Sequence, residues 1–113
     1  MKNPVQFERS LEFQAFLDSL MVRDKIRLLA RINQIEVSGM QVAISKKWVK
    51  KIESNLFEIR SQVGSNIQRA LYFHNIGNQY LILTGFTKKT QKTPRHEIQR
   101  AKQVRNKYEK GGF

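Results

Sequence analysis

Two arginines are spaced so that a tight turn would bring them together. Gly64-Ser65 separates two runs of alternating apolar and polar residues, which predicts a two-residue β-hairpin loop with glycine first. Val63 would then pair with Asn66, and Arg60 would lie directly opposite Arg69 on one face of the sheet. Like charges in that position are destabilising, whereas two adjacent guanidiniums form a fork that suits a phosphate. The two arginines are therefore a candidate anion site.

This interpretation has alternatives. Glu58 is next but one to Arg60, hence on the same face, and its carboxylate could neutralise both arginines. A slip of the register by one residue would instead put the arginines on opposite faces. If they do form an anion site, their mutual repulsion predicts that truncating either one costs little stability.

Two basic clusters flank the arginines along the chain. The first comprises Lys46, Lys47, Lys50 and Lys51 around Trp48, and the second comprises Lys88, Lys89, Lys92 and Arg95. The second is interleaved with threonines and leads into a predicted helix, whose N-terminus attracts phosphate. We interpret the clusters and the arginines as one groove for nucleic acid, although a basic cluster alone is also typical of an ordinary solvated surface.

The overall charge favours a polyanionic partner. The 113-residue chain has a net charge of +12, and residues 46–113 carry 15 basic but only 4 acidic side chains. Such a one-sided excess indicates DNA or RNA as the partner. The chain has no cysteine, which excludes disulfides, thiolate metal sites and cysteine nucleophiles. With no apolar run of membrane-spanning length and no signal-peptide pattern, we expect a cytoplasmic protein.

Other catalytic constellations are absent from the sequence. It holds no glycine-rich phosphate loop, and the carboxylates of the basic half are too scattered for a two-metal site. No cofactor and no metal are therefore predicted. His74 and His96 are the only histidines, and each is expected more often at an ordinary surface position than as a catalytic base.

The elements that must position these residues follow from periodicity. They are a strand at 5–7, a helix capped by Ser10, a helix over 22–37, strands over 48–52, 56–63, 67–74 and 80–86, and a helix from Pro94 to about Lys110 capped by Thr93. The 80–86 run is apolar on both faces, which predicts a central strand. We predict a single α+β domain over residues 1–113: an antiparallel β-sheet meander with an N-terminal helical hairpin and a C-terminal helix, the helices lying on one face.

Three segments carry a recognisable pattern: Leu56-Phe57-Glu58-Ile59-Arg60, then Arg69-Ala70-Leu71-Tyr72, then Gly85-Phe86-Thr87-Lys88-Lys89-Thr90-Gln91-Lys92-Thr93-Pro94 with Glu97-Ile98 and Ala101 after it. They resemble the RelE/ParE toxin superfamily, and within it the HigB-like, phage-derived branch. The resemblance implies a RelE-like fold and the toxin of a type II toxin–antitoxin system. It also implies a metal-independent mRNA endoribonuclease (an mRNA interferase) that acts in the ribosome and that a cognate antitoxin holds inactive.

The resemblance also implies a mechanism. The 2′-hydroxyl of RNA attacks the adjacent phosphate and leaves a 2′,3′-cyclic phosphate and a 5′-hydroxyl. Arg60 and Arg69 would stabilise the developing charge, and Lys88 or Lys89 would position the backbone or, if neutral, act as the base. Members of the family commonly use a tyrosine or histidine in acid–base chemistry, for which Tyr108 and His74 are weak candidates. The remaining basic residues of the two clusters would bind RNA.

Two other functions remain open at this stage. A ParE-type inhibitor of DNA gyrase would share the fold but cut nothing, and a basic nucleic-acid-binding phage or regulatory protein would have no catalysis. The two arginines and the Lys88-Lys89 string favour the ribonuclease over the gyrase inhibitor. No helix-turn-helix pattern supports the third function.

Overall fold

The structure, a computed structural model, describes residues 3–88 and 92–111. Its elements are, in chain order, β1 (Gln6–Arg9), α1 (Leu11–Ser19), α2 (Val22–Ser38), α3 (Met40–Ser45), β2 (Val49–Glu53), β3 (Leu56–Val63), β4 (Asn66–Ile76), β5 (Gln79–Lys88) and α4 (Arg95–Glu109). This order confirms the predicted α+β class with N-terminal helices and a C-terminal helix.

The sheet has five strands in the order β1-β5-β4-β3-β2. Strands β2 to β5 form the predicted antiparallel meander, but β1 pairs with β5 in parallel, from Gln6↔Gln79 to Arg9↔Ile82. The sheet is therefore mixed, and the prediction of a wholly antiparallel one is wrong at this edge. The reason is connectivity: three helices separate β1 from β2, so no short hairpin turn imposes an antiparallel neighbour on β1.

Helices cover both faces of the sheet. Helices α1 to α3 pack on one face, called here the hairpin face, through Phe13, Leu17, Leu28, Ile32, Ile35 and Ala43. On the other, called the α4 face, α4 packs through Ala101, Val104 and Tyr108. The prediction of helices on one face is thus wrong. Residues 81–86 are buried throughout, and an interior strand that is apolar on both sides requires cover on both sides.

Local signals explain where the first helices begin and end. Ser10 caps α1: its Oγ accepts a hydrogen bond from the Phe13 amide at 2.9 Å and donates one to the Leu83 carbonyl at 2.5 Å. Gly39, at φ +91°, ends α2, two residues after the predicted end at residue 37. Helix α3 was not predicted, because a six-residue helix that buries only Ala43 has no apolar stripe to detect.

The two terminal helices are joined to the rest by specific contacts. The Tyr108 hydroxyl accepts a hydrogen bond from the Leu11 amide at 3.0 Å, which ties the end of α4 to the start of α1. Helix α1 lies so close to the sheet that a Cβ on Gly85 would sit 2.2 Å from Cδ2 of Phe16.

In the described part of the chain, no helix has both the length and the apolar character needed to span a membrane.

Candidate functional site

The β3–β4 hairpin has the predicted register. Val63 pairs with Asn66, Arg60 pairs with Arg69, and Gly64 takes the positive φ of +60° that the turn requires. The one-residue slip considered above is excluded. The two arginines therefore do lie opposite each other on one face, and that face is the one α4 covers.

The arginines belong to a row of side chains that crosses the sheet. Arg69 pairs with Phe86 on β5, so that Arg60, Arg69 and Phe86 lie side by side, and the Arg69 guanidinium carbon is 5.8 Å from the centre of the Phe86 ring. Two residues further toward the turn, a second row on the same face holds Gln62, Ile67 and Lys88. The pleat thus brings Lys88 beside the arginines.

Glu58 is the residue that joins the two arginines. Nε of Arg60 donates a hydrogen bond to Oε1 of Glu58, and Nη1 of Arg69 lies 4.0 Å from Oε2. The Thr93 hydroxyl donates a further hydrogen bond to Oε2, so Thr93 contacts Glu58 instead of capping α4, where Pro94 is the N-cap. The Glu58 carboxylate therefore compensates both cations, the alternative that the sequence had left open.

The side chains of the two arginines differ in their exposure to solvent. The Arg60 side chain is 22% exposed, whereas those of Arg69 and Glu58 are 0% exposed. Burial lowers the pKa of Arg69, the Glu58 carboxylate raises it, and the charge of Arg60 lowers it further. Arg60 is thus the guanidinium that a ligand can reach from solvent, and Arg69 lies behind it.

The first basic cluster is divided between the two faces. Lys50 pairs with Glu58 and so lies on the α4 face, whereas Lys51 pairs with Phe57 and lies on the hairpin face. Lys46 and Lys47 form the connection from α3 to β2, with Lys47 in the left-handed conformation at φ +61°. All four are exposed, but of the two on the strand only Lys50 shares a face with the arginines.

The second cluster lies near the arginines where the structure describes it. Lys88 ends β5 beside Ile67. Lys92 and Arg95 are exposed and flank Thr93, whose hydroxyl binds Glu58. Lys89, the other lysine predicted to take part in catalysis, lies outside the described residues.

Neither acid–base candidate lies with the arginines. His74 projects from the hairpin face, the side opposite Arg69, and its Nε2 is 2.6 Å from the Gly77 carbonyl oxygen. Tyr108 is buried, and its hydroxyl is engaged at the start of α1. Both side chains thus hydrogen-bond within the fold at a distance from the two arginines.

Two cavities differ in character. The larger, about 480 Å³, lies on the hairpin face and is lined mainly by apolar and aromatic side chains, among them Met40, Val49, Phe57, Tyr72 and Tyr80. Burial, together with the charge of Tyr80, raises the pKa of Tyr72, so its phenol stays neutral. Among the described residues of this lining, Lys51 is the one lysine or arginine, which makes the cavity less suited to a phosphate than one lined by two guanidiniums.

The smaller cavity, about 230 Å³, is polar and lies beside Arg60. Its other lining residues are Arg31, Ser61, Gln62 and Ile67. Arg31 is not among the site residues predicted from the sequence, although Arg23, Arg27 and Arg31 recur every four residues and so share one helix face.

The described residues show no group of three or more histidine, aspartate or glutamate side chains placed to hold a metal ion. The α4 face presents cations held around a buried carboxylate. Such cations can bind a phosphate and stabilise additional negative charge on it.

Comparison with known protein families gives a match over most of the chain. The family described as Phage derived protein Gp49-like (DUF891) matches residues 15–106, which include both arginines, Glu58 and most of α4. No curated protein matches the chain.

Proposed function

The chain belongs to the phage-derived Gp49-like family, and from this premise we propose that it is the toxin of a toxin–antitoxin system that cleaves messenger RNA without a metal. The family is of a RelE/HigB-like toxin type. The observation that carries the proposed activity is the partly exposed Arg60 guanidinium, fixed by a buried carboxylate on a face rich in cations.

The proposed reaction needs charge stabilisation more than any other contribution. The 2′-hydroxyl loses its proton as its oxygen forms a bond to phosphorus, the bond from phosphorus to the 5′-oxygen breaks, and the leaving 5′-oxygen takes up a proton, so that no net proton is gained or lost. The products are a 2′,3′-cyclic phosphate and a 5′-hydroxyl. Negative charge grows on the phosphate oxygens in the transition state, so fixed donors aimed at those oxygens lower the barrier.

The residues have distinct proposed roles. Arg60 contacts the scissile phosphate, because it is the member of the arginine pair that is reachable from solvent. Glu58 and the buried Arg69 are positioning residues that hold the Arg60 guanidinium in one orientation. Lys88, in the adjacent row, binds the RNA backbone, and Lys50, Lys92 and Arg95 extend the cationic surface around it.

The same surface suits the antitoxin. A segment rich in aspartate and glutamate would be steered to it by opposite charge and would exclude RNA from Arg60. We expect the toxin to co-purify with the product of a neighbouring gene that carries such a segment. Normal growth of cells that express this chain at high level without any partner would contradict the toxin hypothesis.

The test is translation in vitro with purified wild-type protein, followed by primer extension on the mRNA. We expect cuts that are positioned by codon and that require ribosomes. The 5′ ends should accept labelled phosphate from polynucleotide kinase without prior dephosphorylation, as a 5′-hydroxyl does. Arg60→Ala should reduce the cuts about 10²-fold, and Arg9→Ala, which changes an exposed arginine on the far edge strand β1, should retain them.

Intact mRNA in the presence of folded wild-type protein would refute the nuclease. A supercoiling assay with DNA gyrase on the same preparations would then decide whether the chain acts as a gyrase inhibitor instead. Cuts that appear equally without ribosomes would retain the nuclease and remove the ribosome from the proposal.

A further inference from the structure

The polar cavity lies where strand β2 ends. The β2–β3 pairing stops at Val49↔Ile59, with one further hydrogen bond from the Arg60 amide to the Trp48 carbonyl at 3.2 Å. Beyond that point β3 continues past the end of β2 through Ser61 and Gln62, both of which line the cavity. The cavity therefore opens at the edge of the sheet, on the side where α2 passes.

Arg31 projects from α2 into the lining of this cavity. Its guanidinium carbon is 5.2 Å from the centre of the Trp48 ring, a cation–π contact that fixes the plane of the cation. Partial burial and the charge of Arg27 one turn earlier lower the pKa of Arg31. Two like charges at this spacing repel each other along the helix, and a bound anion would offset that repulsion.

The cavity brings together two guanidiniums from separate elements. Arg31 comes from α2 and Arg60 from β3, and the other lining residues, Ser61, Gln62 and Ile67, are neutral. Lys88 does not line the cavity, but it pairs with the lining residue Ile67 from the next strand. A polar cavity of about 230 Å³ between guanidiniums has the size and charge for one phosphate group.

We propose that this cavity binds a phosphodiester of the RNA strand next to the scissile one, with Arg31 as the residue that contacts it. The inference rests on the proposed function, since RNA is the polyanion whose adjacent phosphates would engage Arg60 and Arg31 together. Arg31 is then an RNA-binding residue and takes no part in the bond-breaking step. Its contribution is to hold the strand so that the neighbouring phosphate meets Arg60.

The chain carries its own probe for this site. Trp48 is the only tryptophan, and Arg31 lies over its ring. A phosphate that engages Arg31 changes the electrostatic field at the indole, so RNA binding should change the Trp48 emission. Replacing Arg31 by glutamine should remove that response without removing the fluorophore.

The experiment uses a short RNA with 2′-O-methyl groups throughout, which binds but cannot be cut, and the full-length chain. Binding is followed by anisotropy at several salt concentrations and by Trp48 emission. Arg31→Gln should weaken binding about tenfold, as loss of one charged hydrogen-bonding contact does, and should reduce the salt slope by about 0.7. Arg9→Gln, the charge-matched control, should change neither and should keep the emission change.

Arg31→Lys keeps the positive charge but changes the geometry of the contact with phosphate. It also provides a second test in case the glutamine variant does not fold. It should restore most of the salt slope but little of the affinity, because an ammonium cannot make the two-pronged contact. If Arg31→Gln binds like Arg9→Gln, the inference is overturned even where the wild-type protein still cuts mRNA. If the wild-type protein binds RNA through Arg31 but cuts nothing, the nuclease fails, and with it the position of this phosphodiester next to a scissile one, whereas Arg31 remains an RNA-binding residue.

Discussion

Arg60 and Arg69 are directly opposite each other on adjacent antiparallel strands, and the carboxylate of Glu58 lies within ion-pair distance of both guanidiniums. One carboxylate thus compensates two cations whose mutual repulsion would otherwise oppose the pairing. Because Glu58 and Arg69 are fully buried and Arg60 is not, the three residues are not equivalent. Stability and activity should depend on them differently.

Truncation of each arginine should separate these two effects. Arg69→Ala leaves Glu58 buried with half of its compensation and should lower the free energy of unfolding by about 3 kcal/mol. Arg60→Ala, at a partly exposed position, should cost about 1 kcal/mol yet reduce cleavage about 10²-fold. Urea denaturation and the translation assay measure the two quantities.

This expectation replaces the simpler one from the sequence, that either arginine could be truncated cheaply. Arg60→Lys should recover little cleavage, because a point charge does not reproduce the guanidinium contact. If Arg60→Ala kept full cleavage while losing as much stability as Arg69→Ala, Arg60 would be a structural partner of Glu58 and no part of the mechanism.

Two adjacent lysines offer a matched comparison for RNA binding. Lys50 and Lys51 are both exposed on β2 but lie on opposite faces, with Lys50 on the α4 face. Lys50→Gln should reduce the salt slope of RNA binding by about 0.7, the value for one released counterion on a single strand. Lys51→Gln should leave the slope unchanged in the same titration. Equal effects of the two substitutions would show that the α4 face is not the RNA surface.

The sequence alone was sufficient to predict the pairing register of the β3–β4 hairpin, which carries the site. The register of Arg60 and Arg69 follows from one local feature, the Gly64-Ser65 turn, because a two-residue loop leaves no freedom in the pairing. The alternation of side chains then puts Glu58 on the same face. Local rules of this kind predict which residues are neighbours within a hairpin.

The burial of these residues could not be predicted from the hairpin alone. Whether Arg69 is exposed depends on where α4 packs and on the contact of Thr93 with Glu58, which lies 35 residues earlier in the chain. Periodicity shows that α4 has an apolar side but not which face of the sheet it covers. Periodicity likewise could not show that Arg31 lines the same cavity as Arg60, because this depends on α2 passing the edge of β3.

An ion pair between α1 and α4 should make stability depend on pH. Lys107 Nζ donates a hydrogen bond to Glu12 Oε2. Burial raises the pKa of Glu12, but the hydrogen bonds from Lys107, from the backbone and from Tyr108, together with the charge of Lys107, outweigh it, so that the pKa lies below its usual 4.5. The hydrogen bond from Lys107 to Glu12 likewise raises the pKa of Lys107.

The signs of these shifts fix the pH range. A carboxylate with a lowered pKa stabilises the fold above its unfolded-state pKa, and that contribution is lost as the pH falls through the folded-state value. Glu12→Gln should therefore lower the Tm at pH 7, and the difference from wild type should disappear below about pH 4. Glu8→Gln, an exposed residue on β1, is the control in thermal melts across that range. A difference that persists undiminished at pH 3 would show that the charge of Glu12 is not the cause.

Because α1 lies so close to the sheet, we expect the effect of Gly85→Ala on the free energy of unfolding to change sign when the Phe16 ring is removed. A methyl group on Gly85 would meet the Phe16 ring at 2.2 Å, so Gly85→Ala should cost about 1–3 kcal/mol through overpacking. With Phe16→Ala the obstacle is gone, and the same substitution should then stabilise the interior strand by about 0.5–1 kcal/mol, because alanine restricts the unfolded chain more than glycine does. Urea denaturation of the wild type, the two single variants and the double variant measures the coupling. An equal cost of Gly85→Ala in both backgrounds would mean that glycine is needed here for the backbone and not for the packing of Phe16.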